Sequence, residues 1–384
     1  MTATSPIDKS PLQFHMDSTL DVVGIEKLWV ALEQDADSSF FTSWYWIESW
    51  LQVMGPSVSI CKVYSAERLV GLGLFVIARE KRHKVLCVTQ IRLQSTGDEH
   101  QDQVWPEYNG MLVAKGFEVE IYRGLMEFLV EKGGDWDELV IGPVDDSLLM
   151  PLSRSKYHLV DLWNAPSFGV DLVGIRSDGQ CYLDSLSKNT RYQIRKAIRQ
   201  CGDGLSLHWA ESEIEAQQYL CAIAKLHKQR WSQDSGFNND VFVNFHKALI
   251  RQCFDKGVIE IVKLQVQGED VGYLYNFLFK NRVYFYLSGI DLVTASKMKP
   301  GLVLHALCIQ RHLERGAESY DFLGGYARYK ENLGKETGRL AVAAFQKPLL
   351  KLRVEQAARR IKHYIEDNVV NNIANDASSN ETCR

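Results

Sequence analysis

The sequence contains an internal duplication, and this repeat limits the folds that the chain can adopt. Residues 62–71 read KVYSAERLVG and residues 263–272 read KLQVQGEDVG, at a constant offset of 201 residues. Each copy has an apolar run, a short polar turn, and Val-Gly at the start of a second run. Runs of β-branched and aromatic residues around a short polar turn predict a β-hairpin. The chain is therefore predicted to hold two copies of one folding unit.

The likeness continues downstream of each hairpin. Residues 117–132 have apolar side chains at helical spacing, and GGDWDELVIG then supplies a breaker and a strand. In the second copy, residues 302–315 are predicted to be helical and are followed by GAESYDFLGG. Each half thus predicts a hairpin, a helix and a strand, which together make a mixed α/β (α+β) unit.

Turn-forming residues mark the division between the halves. Pro166, Ser167 and Gly169 place it near residue 168, and a length of 384 residues suffices for two or three domains. We expect an N-terminal domain at 1–168 and a C-terminal domain at 169–348. An amphipathic helix and a disordered tail are expected at 349–384.

Two apolar patterns are predicted to pack against the protein itself. Trp44, Tyr45, Trp46 and Trp50 lie on a predicted helix, where core packing is favoured over a sugar-stacking site. The C-terminal helix carries one apolar stripe with basic neighbours, and its alternative to packing on the body is a membrane surface. That stripe consists of Leu350, Val354, Ala357, Ile361 and Ile365.

Composition and charge exclude several classes of function. A chain with 46% apolar and 24% charged residues is globular, and a net charge of −4 disfavours DNA binding by the whole molecule. There is no basic start with an apolar run, and the longest apolar stretch, Leu69–Ala78, is too short to span a bilayer. Eight cysteines without a Cys-x-x-Cys pair predict reduced thiols and no metal site. We therefore expect a cytoplasmic protein without integral membrane association.

The usual motifs of hydrolases, zinc proteases, nucleotidases and dehydrogenases do not occur in the sequence. A basic segment does occur, and in a helix its four cations would share one side. These cations are Lys188, Arg191, Arg195 and Arg199. A phosphate-bearing partner would explain them, but so would a solvated face or acidic side chains elsewhere in the fold.

Two further segments carry candidate chemistry. The strand-like run 284–291 leads through Lys297 and Lys299 to Pro300-Gly301, which open a helix. The free N–H groups and dipole of a helix start favour an anion such as a pyrophosphate, although Pro-Gly also simply begins helices. In YDFLGGYARYK (320–330), paired glycines would allow a ligand to approach a strand end. Capping by Asp321 and packing of the tyrosines are the alternative explanation of that segment.

Together these segments resemble the GNAT-like acetyltransferases of the cellulose-biosynthesis, or BioF2-like, type, which are relatives of the Fem-type aminoacyl transferases. The resemblance covers most of residues 40–345. It is clearest in SLSKNTRYQIRKAIR, Pro300-Gly301, YDFLGGYARYK and FFTSWYWIESWLQ. It implies tandem GNAT-like domains, each with a mixed, mostly antiparallel sheet flanked by helices. It also implies an acyl-CoA donor such as acetyl-CoA, an amine-bearing small-molecule or glycan-precursor acceptor, and a role in polysaccharide or cell-envelope metabolism. The usual GNAT pyrophosphate loop has only a loose echo in residues 297–302.

Transfer from a thioester to an amine needs a base for the ammonium, donors for the carbonyl oxygen and an acid for the thiolate. We assign Asp291 as the candidate base with His305 in reserve, and Tyr329 as the candidate acid with Tyr326 second. Residues predicted to bind the donor are Ser288, Lys297, Lys299, Gly301, Leu302 and Lys330. Residues predicted to bind the acceptor are Arg191, Arg195, Asp321 and Gly324. Two alternatives stay open: a Fem-like transferase that uses charged tRNA, and a non-catalytic binding protein that retains the fold.

Overall fold

The computed structural model describes residues 10–18, 21–55, 57–153, 157–293 and 298–361. Within these ranges the strands are β1 (Leu12–Asp17), β2 (Val58–Ser65), β3 (Arg68–Arg82), β4 (Leu86–Leu93), β5 (Leu112–Val113), β6 (Glu138–Asp145), β7 (His158–Asp171), β8 (Leu205–Trp209), β9 (Ile259–Val266), β10 (Glu269–Phe279), β11 (Arg282–Ile290), β12 (Ser319–Gly324) and β13 (Lys335–Gln346). They form one sheet in the order β1-β2-β3-β4-β6-β13-β7-β12-β11-β10-β9-β8, with β5 beside β3.

Helices cover both faces of this sheet. They are α1 (Val22–Asp35), α2 (Trp44–Met54), α3 (Glu118–Glu131), α4 (Met150–Ser153), α5 (Leu172–Ser177), α6 (Tyr182–Ser185), α7 (Lys188–Cys201), α8 (Glu213–Trp231), α9 (Asp240–Cys253), α10 (Pro300–Glu314) and α11 (Arg328–Leu333). A last helix, α12, is described over 350–361. In the described part of the chain, no helix has the length and apolar character needed to cross a membrane.

The duplication predicted from the sequence is confirmed. The antiparallel pair β2–β3 and the antiparallel pair β9–β10 contain the two repeated segments. In each copy one long helix then connects two neighbouring parallel strands: α3 lies between β4 and β6, and α10 between β11 and β12. All other strand pairs of the described sheet are antiparallel, so the predicted mixed α/β class with a mostly antiparallel sheet is also confirmed.

The two copies exchange strands at the centre of the sheet. Strand β7 follows the first copy in the chain but pairs with β12 of the second, whereas β13 follows the second copy and pairs with β6 of the first. The exchanged strands also pair with each other. Residue 168, where the sequence predicts the domain boundary, lies inside β7. The copies therefore share backbone hydrogen bonds as well as side-chain contacts.

An aromatic core joins the copies on one face of the sheet. Phe40, just before the tryptophan-rich helix α2, stacks on Phe277 of β10 with ring centroids 4.2 Å apart. Trp46 packs edge-on against the same Phe277 and against Phe245 of α9. Since Trp46 is only 1% exposed, core packing of this aromatic cluster is confirmed.

A glycine allows α8 to lie directly on β11. A Cβ atom at Gly289 would be 2.8 Å from the Cα of Ile223 and 3.1 Å from its carbonyl oxygen. Only a residue without a side chain permits the helix and the strand to come this close. The close approach places the C-terminal half of α8 beside the end of β11.

The prediction that the apolar stripe of α12 packs on the body is wrong for its described residues. Leu350 is 78% exposed and Val354 is 60% exposed, whereas Leu352 and Glu355 are buried. Helix α12 docks instead through Leu352 and Glu355, and the Glu355 carboxylate lies 3.4 Å from the guanidinium of the largely buried Arg82, which also pairs with Glu138. Ile365 and the tail beyond residue 361 lie outside the described residues.

Candidate active site

The parallel strands β11 and β12 separate part-way along their length. They pair from Arg282–Ser319 to Tyr284–Asp321, after which each strand continues without pairing to the other. At this point β11 also carries a β-bulge on its other edge, because Phe285 pairs with Asn276 while Leu287 pairs with Tyr275. The bulge leaves Tyr286 as an extra residue, and bulges take backbone groups out of the ladder. The result is an opening between the two strands with main-chain donors at its edge.

Four side chains from both copies meet at this opening, and we call them the polar cluster: Glu107, Tyr108, Asp321 and Lys330. The backbone N–H of Gly324 donates to Glu107 Oε2 at 2.5 Å. The Tyr108 hydroxyl donates to Asp321 Oδ2 at 2.8 Å. Lys330 Nζ donates to the carbonyl oxygens of Leu323 at 3.2 Å and Gly324 at 2.5 Å. The loop between β4 and β5 therefore supplies two groups, and the end of β12 with α11 supplies the others.

The backbone at the end of β12 has an unusual conformation that arranges this cluster. Leu323 has φ of +63°, a left-handed value that costs energy for a residue with a branched side chain. The Asp321 carboxylate stabilises the bend by accepting the Leu323 N–H at 2.7 Å. The bend turns the carbonyl oxygens of Leu323 and Gly324 toward the Lys330 ammonium, which belongs to a residue only 7% exposed.

Burial shifts the acid–base properties of the polar cluster. It raises the pKa of the Glu107 carboxyl to about 7, even though the Gly324 N–H and the Lys330 charge favour the carboxylate. Burial also raises the pKa of Asp321, which the Tyr108 hydrogen bond only partly offsets. The pKa of Lys330 is lowered by burial, against the effect of the two carboxylates. Glu107 thus changes its protonation near neutrality, which is the property that a general base requires.

The sequence profile of a known family agrees with this geometry. The family described as "Acetyltransferase (GNAT) domain" matches residues 188–331, from α7 through most of α11. Residues 188–331 are therefore similar to a GNAT-type acetyltransferase domain. No curated protein sequence matches the chain significantly. The narrower cellulose-biosynthesis type stays a prediction.

Solved structures resemble nearly the whole chain and not only the GNAT domain. FemX is 11% identical, with a TM-score of 0.54 over 89% of this chain and 99% of that one. L-PGS from Bacillus licheniformis is 12% identical, with a TM-score of 0.51 over 87% and 96%. A conserved protein of unknown function from Bacteroides thetaiotaomicron VPI-5482 is 11% identical, with a TM-score of 0.53 over 87% and 100%. At these identities the likeness shows a shared fold.

Two of the predicted catalytic residues of the GNAT domain lie together. The rings of His305 and Tyr329 stack with centroids 5.5 Å apart and an angle of 17°. His305 is 4% exposed, and burial lowers its pKa to about 3, so the ring is neutral and a weak base. Its Nδ1 lies 3.3 Å from the Tyr320 hydroxyl. Burial raises the pKa of Tyr329 to about 12, which keeps its phenol protonated. Tyr329 therefore keeps the proton that a general acid needs. The neutral His305 ring packs against it.

The other two predicted catalytic residues lie elsewhere. Asp291 follows the last residue of β11, its N–H donates to the Val271 carbonyl, and its carboxylate accepts the Val293 N–H at 2.9 Å. These contacts hold Asp291 in a turn at the outer end of the hairpin β10–β11. Tyr326 is 70% exposed and donates to Glu331 at 3.0 Å. The structure brings neither residue into the polar cluster.

The start of α10 contains most residues predicted to bind the donor. Lys299 precedes the helix with φ of +47°, and its Nζ donates to Gln193 of α7 at 2.9 Å. Pro300 is the first helical residue, and Gly301 and Leu302 follow in the first turn. Ser288 lies in β11, partly buried, opposite Leu274. Lys297 lies outside the described residues. Pro300 has no N–H, and the N–H groups of Leu302 and Val303 donate to the Lys299 carbonyl at 3.0 Å and 3.3 Å. The Gly301 N–H and the positive end of the helix dipole are therefore what this end of α10 offers to a phosphate group.

Acidic neighbours account for part of the basic face of α7. Arg191 and Arg195, which the sequence predicts to bind the acceptor, both contact Asp184, at 3.2 Å and 3.3 Å. Lys188 and Arg199 are exposed on the same helix. The opposite side of α7 is buried through Ile194. The helix therefore presents a positive surface beside the start of α10, with two of its four cations already paired.

A second buried set of ionisable groups lies under α10. Atoms of Glu260, Cys308 and His312 lie within 4.8 Å of one another, a spacing that could hold a metal ion. These side chains also form hydrogen bonds within the protein. His312 Nε2 lies 2.9 Å from Glu260 Oε1, and the Asn276 amide donates to the same oxygen at 3.0 Å. This set therefore stabilises the packing of α10 on β9 and β10.

Sequence reasoning missed Glu107, the base candidate that the structure favours. The segments with recognisable candidate chemistry all lie in the second copy, whereas Glu107 belongs to the segment WPEYNG of the first. A lone acid between proline and tyrosine in a loop carries a weak signal. Only its contact with Gly324, at a sequence separation of 217 residues, places it in the site.

Proposed function

We propose that the protein is an N-acyltransferase that moves an acyl group from an acyl-CoA thioester to an amine, in polysaccharide or cell-envelope metabolism. One observation carries the proposal: the opening between β11 and β12, with a bulge at Tyr286, lies beside a glutamate whose pKa is raised to about 7. The metabolic context rests on the family resemblance alone.

The start of α10 supports binding of the donor at one end of this opening. The Gly301 N–H, the helix dipole and the charge of the nearby Lys299 favour a pyrophosphate, and the positive surface of α7 lies alongside. From there an extended thioester arm can follow the separated edges of β11 and β12 toward the polar cluster. A backbone N–H freed by the bulge would then donate to the thioester carbonyl oxygen.

The polar cluster supports the transfer step. Glu107 takes a proton from the acceptor ammonium, so that the amine lone pair can attack the thioester carbon. The C–N bond forms, the C–S bond breaks, and the electron pair of that bond leaves on sulfur. Tyr329, which stays protonated, donates a hydrogen bond to the departing thiolate, and the thiolate takes up the second proton that the nitrogen loses as the amide forms. The proton held by Glu107 returns to solvent and restores the base.

Lys330 acts on the shape and charge of the site. Its ammonium holds the carbonyls of Leu323 and Gly324, which fixes the bend that presents the Gly324 N–H to Glu107. Its positive charge also opposes the upward shift of the Glu107 pKa that burial causes. We therefore assign Lys330 as a positioning residue that keeps the base near neutrality.

An aminoacyl-tRNA donor is the second candidate. FemX shares the fold over 89% of this chain, and α7 exposes Lys188, Lys196 and Arg199 on its surface. An ester carbonyl on tRNA and a thioester carbonyl need the same base and oxyanion donors, so the polar cluster would serve either. The net charge of −4 favours the smaller donor, because a large tRNA surface usually requires a positive protein.

The donor can be identified with the full chain by thermal unfolding and by acyl transfer to added amines. A ligand at 100 times its Kd stabilises a protein by about 2.7 kcal/mol, which shifts Tm measurably. We expect acetyl-CoA or a longer acyl-CoA to raise Tm and to support transfer that free CoA inhibits. Stabilisation and transfer with charged tRNA alone would select the second candidate. If neither donor shifts Tm or supports transfer, the protein is a binding protein with this fold.

A further inference from the structure

The first copy borders a cavity near the start of α3, the helix that corresponds to α10 of the second copy. Its parallel strands β4 and β6 pair as far as Arg92–Val140. The cavity, of about 700 Å³, lies between the end of β6, the start of α3 and the first residues of β11 and β12, and none of the described β4 residues lines it. This volume is typical of a small-molecule site.

The charge of this cavity is opposite to that of the donor site. One cation, Arg282, lines it, and its guanidinium lies 3.0 Å from Asp37. The carboxylates that line it are Asp37, Glu118, Asp145, Asp171, Glu318 and Asp321. The first turn of α3 holds Glu118 and Glu120, whereas α10 begins after Lys299. A phosphate would be repelled here, and a protonated amine would be attracted.

A buried hydroxyl in the wall lacks a protein partner. Ser38 is 4% exposed, lines the cavity, and its Oγ has no hydrogen-bond partner within the described ranges of the chain. Buried polar atoms nearly always have a partner. In this conformation the Oγ is closed off from the cavity, so it would reach a ligand after rotation about the Ser38 χ1 bond. Other hydroxyl side chains line the same cavity: Ser39, Thr42, Ser147, Ser167, Ser319 and Thr337. Such a wall suits a ligand with several hydroxyl groups.

The cavity ends at the polar cluster. Tyr108 and Asp321, joined by their 2.8 Å hydrogen bond, both line it, and Glu107 is the next residue before Tyr108. An amine at this end of the cavity would lie against Tyr108 and Asp321, which belong to the same polar cluster as Glu107, on the side away from the start of α10. The two substrates would thus approach the opening from differently charged sides.

We infer that this cavity is the acceptor site and that it takes a protonated, hydroxyl-rich amine without a phosphate group, in the class of the amino sugars. Its role as the acceptor site rests on the proposed function, but the binding of the amine does not depend on the donor. The first copy would thereby select the amine by charge.

Glucosamine and glucosamine 6-phosphate are a matched pair of probes for calorimetric titration of the full chain without donor. We expect glucosamine to bind at least about tenfold more tightly, since the phosphate would face carboxylates at short range. Glu118→Gln and Glu318→Gln should each weaken glucosamine binding by about three- to tenfold, because a hydrogen bond to a charged group loses its charge. Glu120→Gln is the matched control, since Glu120 is exposed on the same helix and does not line the cavity.

Ser38→Ala separates binding from folding. The Ser38 hydroxyl has no partner among the described residues, so its removal should leave Tm unchanged and weaken glucosamine binding. Tighter binding of glucosamine 6-phosphate, or no effect of the three cavity substitutions, would overturn the inference. Absence of glucosamine binding while acyl-CoA still raises Tm would also overturn it and leave the donor site standing. If acyl-CoA fails but glucosamine binds with the expected charge dependence, the cavity stands and the proposed transferase function falls.

Discussion

The two copies of the repeated unit differ where their parallel strands separate. In the first copy two buried amides bridge the gap: Gln94 Nε2 donates to Asn109 Oδ1 at 3.0 Å, and the Asn109 N–H donates to the Pro143 carbonyl of β6 at 2.6 Å. Strands β3 and β4 pair there without a bulge. In the second copy the gap is bordered by ionisable side chains and has a bulge at Tyr286.

A single short segment produces this difference. Asn109 closes the first gap, while Glu107 and Tyr108, the two residues before it, contact Gly324 and Asp321 at the second gap. In the proposed reaction the second copy would bind the donor and the first copy would supply the base.

The largest expected effect comes from Glu107→Gln. The amide cannot accept the ammonium proton, so kcat/KM should fall by about 100-fold or more. Because the carboxylate is the active form and its pKa is about 7, kcat/KM of the unaltered protein should rise with pH up to about 7 and level off above it. The variant should lose that rise in a pH profile of the acyl-transfer rate.

Glu99→Gln is the matched control for this substitution, since Glu99 is exposed in the same loop. Asp291→Asn tests the base that the sequence suggested. A large loss at Asp291 together with an unchanged profile in Glu107→Gln would move the base to the turn after β11.

The next largest effect is on stability, when the side chain that closes the gap between β4 and β6 is removed. Asn109 is 1% exposed, and Asn109→Ala removes two buried hydrogen bonds, one from Gln94 Nε2 and one to the Gln94 carbonyl, while Gln94 Nε2 keeps its bond to the Gly110 carbonyl. We expect the free energy of unfolding to fall by about 1–3 kcal/mol, measured by urea denaturation. The affinity for acyl-CoA should not change at temperatures where the variant is folded. Asn189→Ala, at an exposed position of α7, should change stability by less than about 0.5 kcal/mol. A loss of acyl-CoA affinity in Asn109→Ala would place the donor in the first copy instead.

The smallest expected effect is on the affinity for acyl-CoA, when charged residues at the starts of α10 and α3 are replaced. Lys299→Ala removes an exposed charge before α10 and should raise the Kd for acyl-CoA by about two- to fivefold, less at high salt. Glu120→Ala, in the first turn of α3, should leave that Kd unchanged or slightly lower. Equal effects at both positions, seen by titration at two salt concentrations, would contradict the assignment of the donor to α10.

Much of the fold could be predicted from local patterns. Alternating apolar residues around short turns give both hairpins, and the apolar spacing of residues 117–132 and 302–315 gives α3 and α10. The aromatic pattern of residues 44–50 correctly predicts a core helix. The packing face of α12 was not predictable in this way, because it depends on Arg82, a residue far away in the sequence whose charge becomes buried.

The candidate site was only partly predictable. The motif YDFLGGYARYK contains Asp321, Gly324 and Lys330, and the structure brings all three together. Their expected partners Asp291 and Tyr326 lie elsewhere, since periodicity gives the face of an element but not what lies opposite. The acid that does lie opposite, Glu107, comes from a loop for which no periodic pattern exists.

By itself the sequence determined the duplication, the order of hairpin, helix and strand within each half, and the glycine-rich strand end with its lysine. These features depend on propensity, spacing and turn chemistry, all of which act between near neighbours in the chain. Only the tertiary structure decided that β7 pairs with the second copy and β13 with the first. It also decided that the gap between β4 and β6 closes and that Glu107 lies at the gap between β11 and β12. Strand pairing and burial act between residues far apart in sequence, and burial is also what moves the Glu107 pKa to about 7.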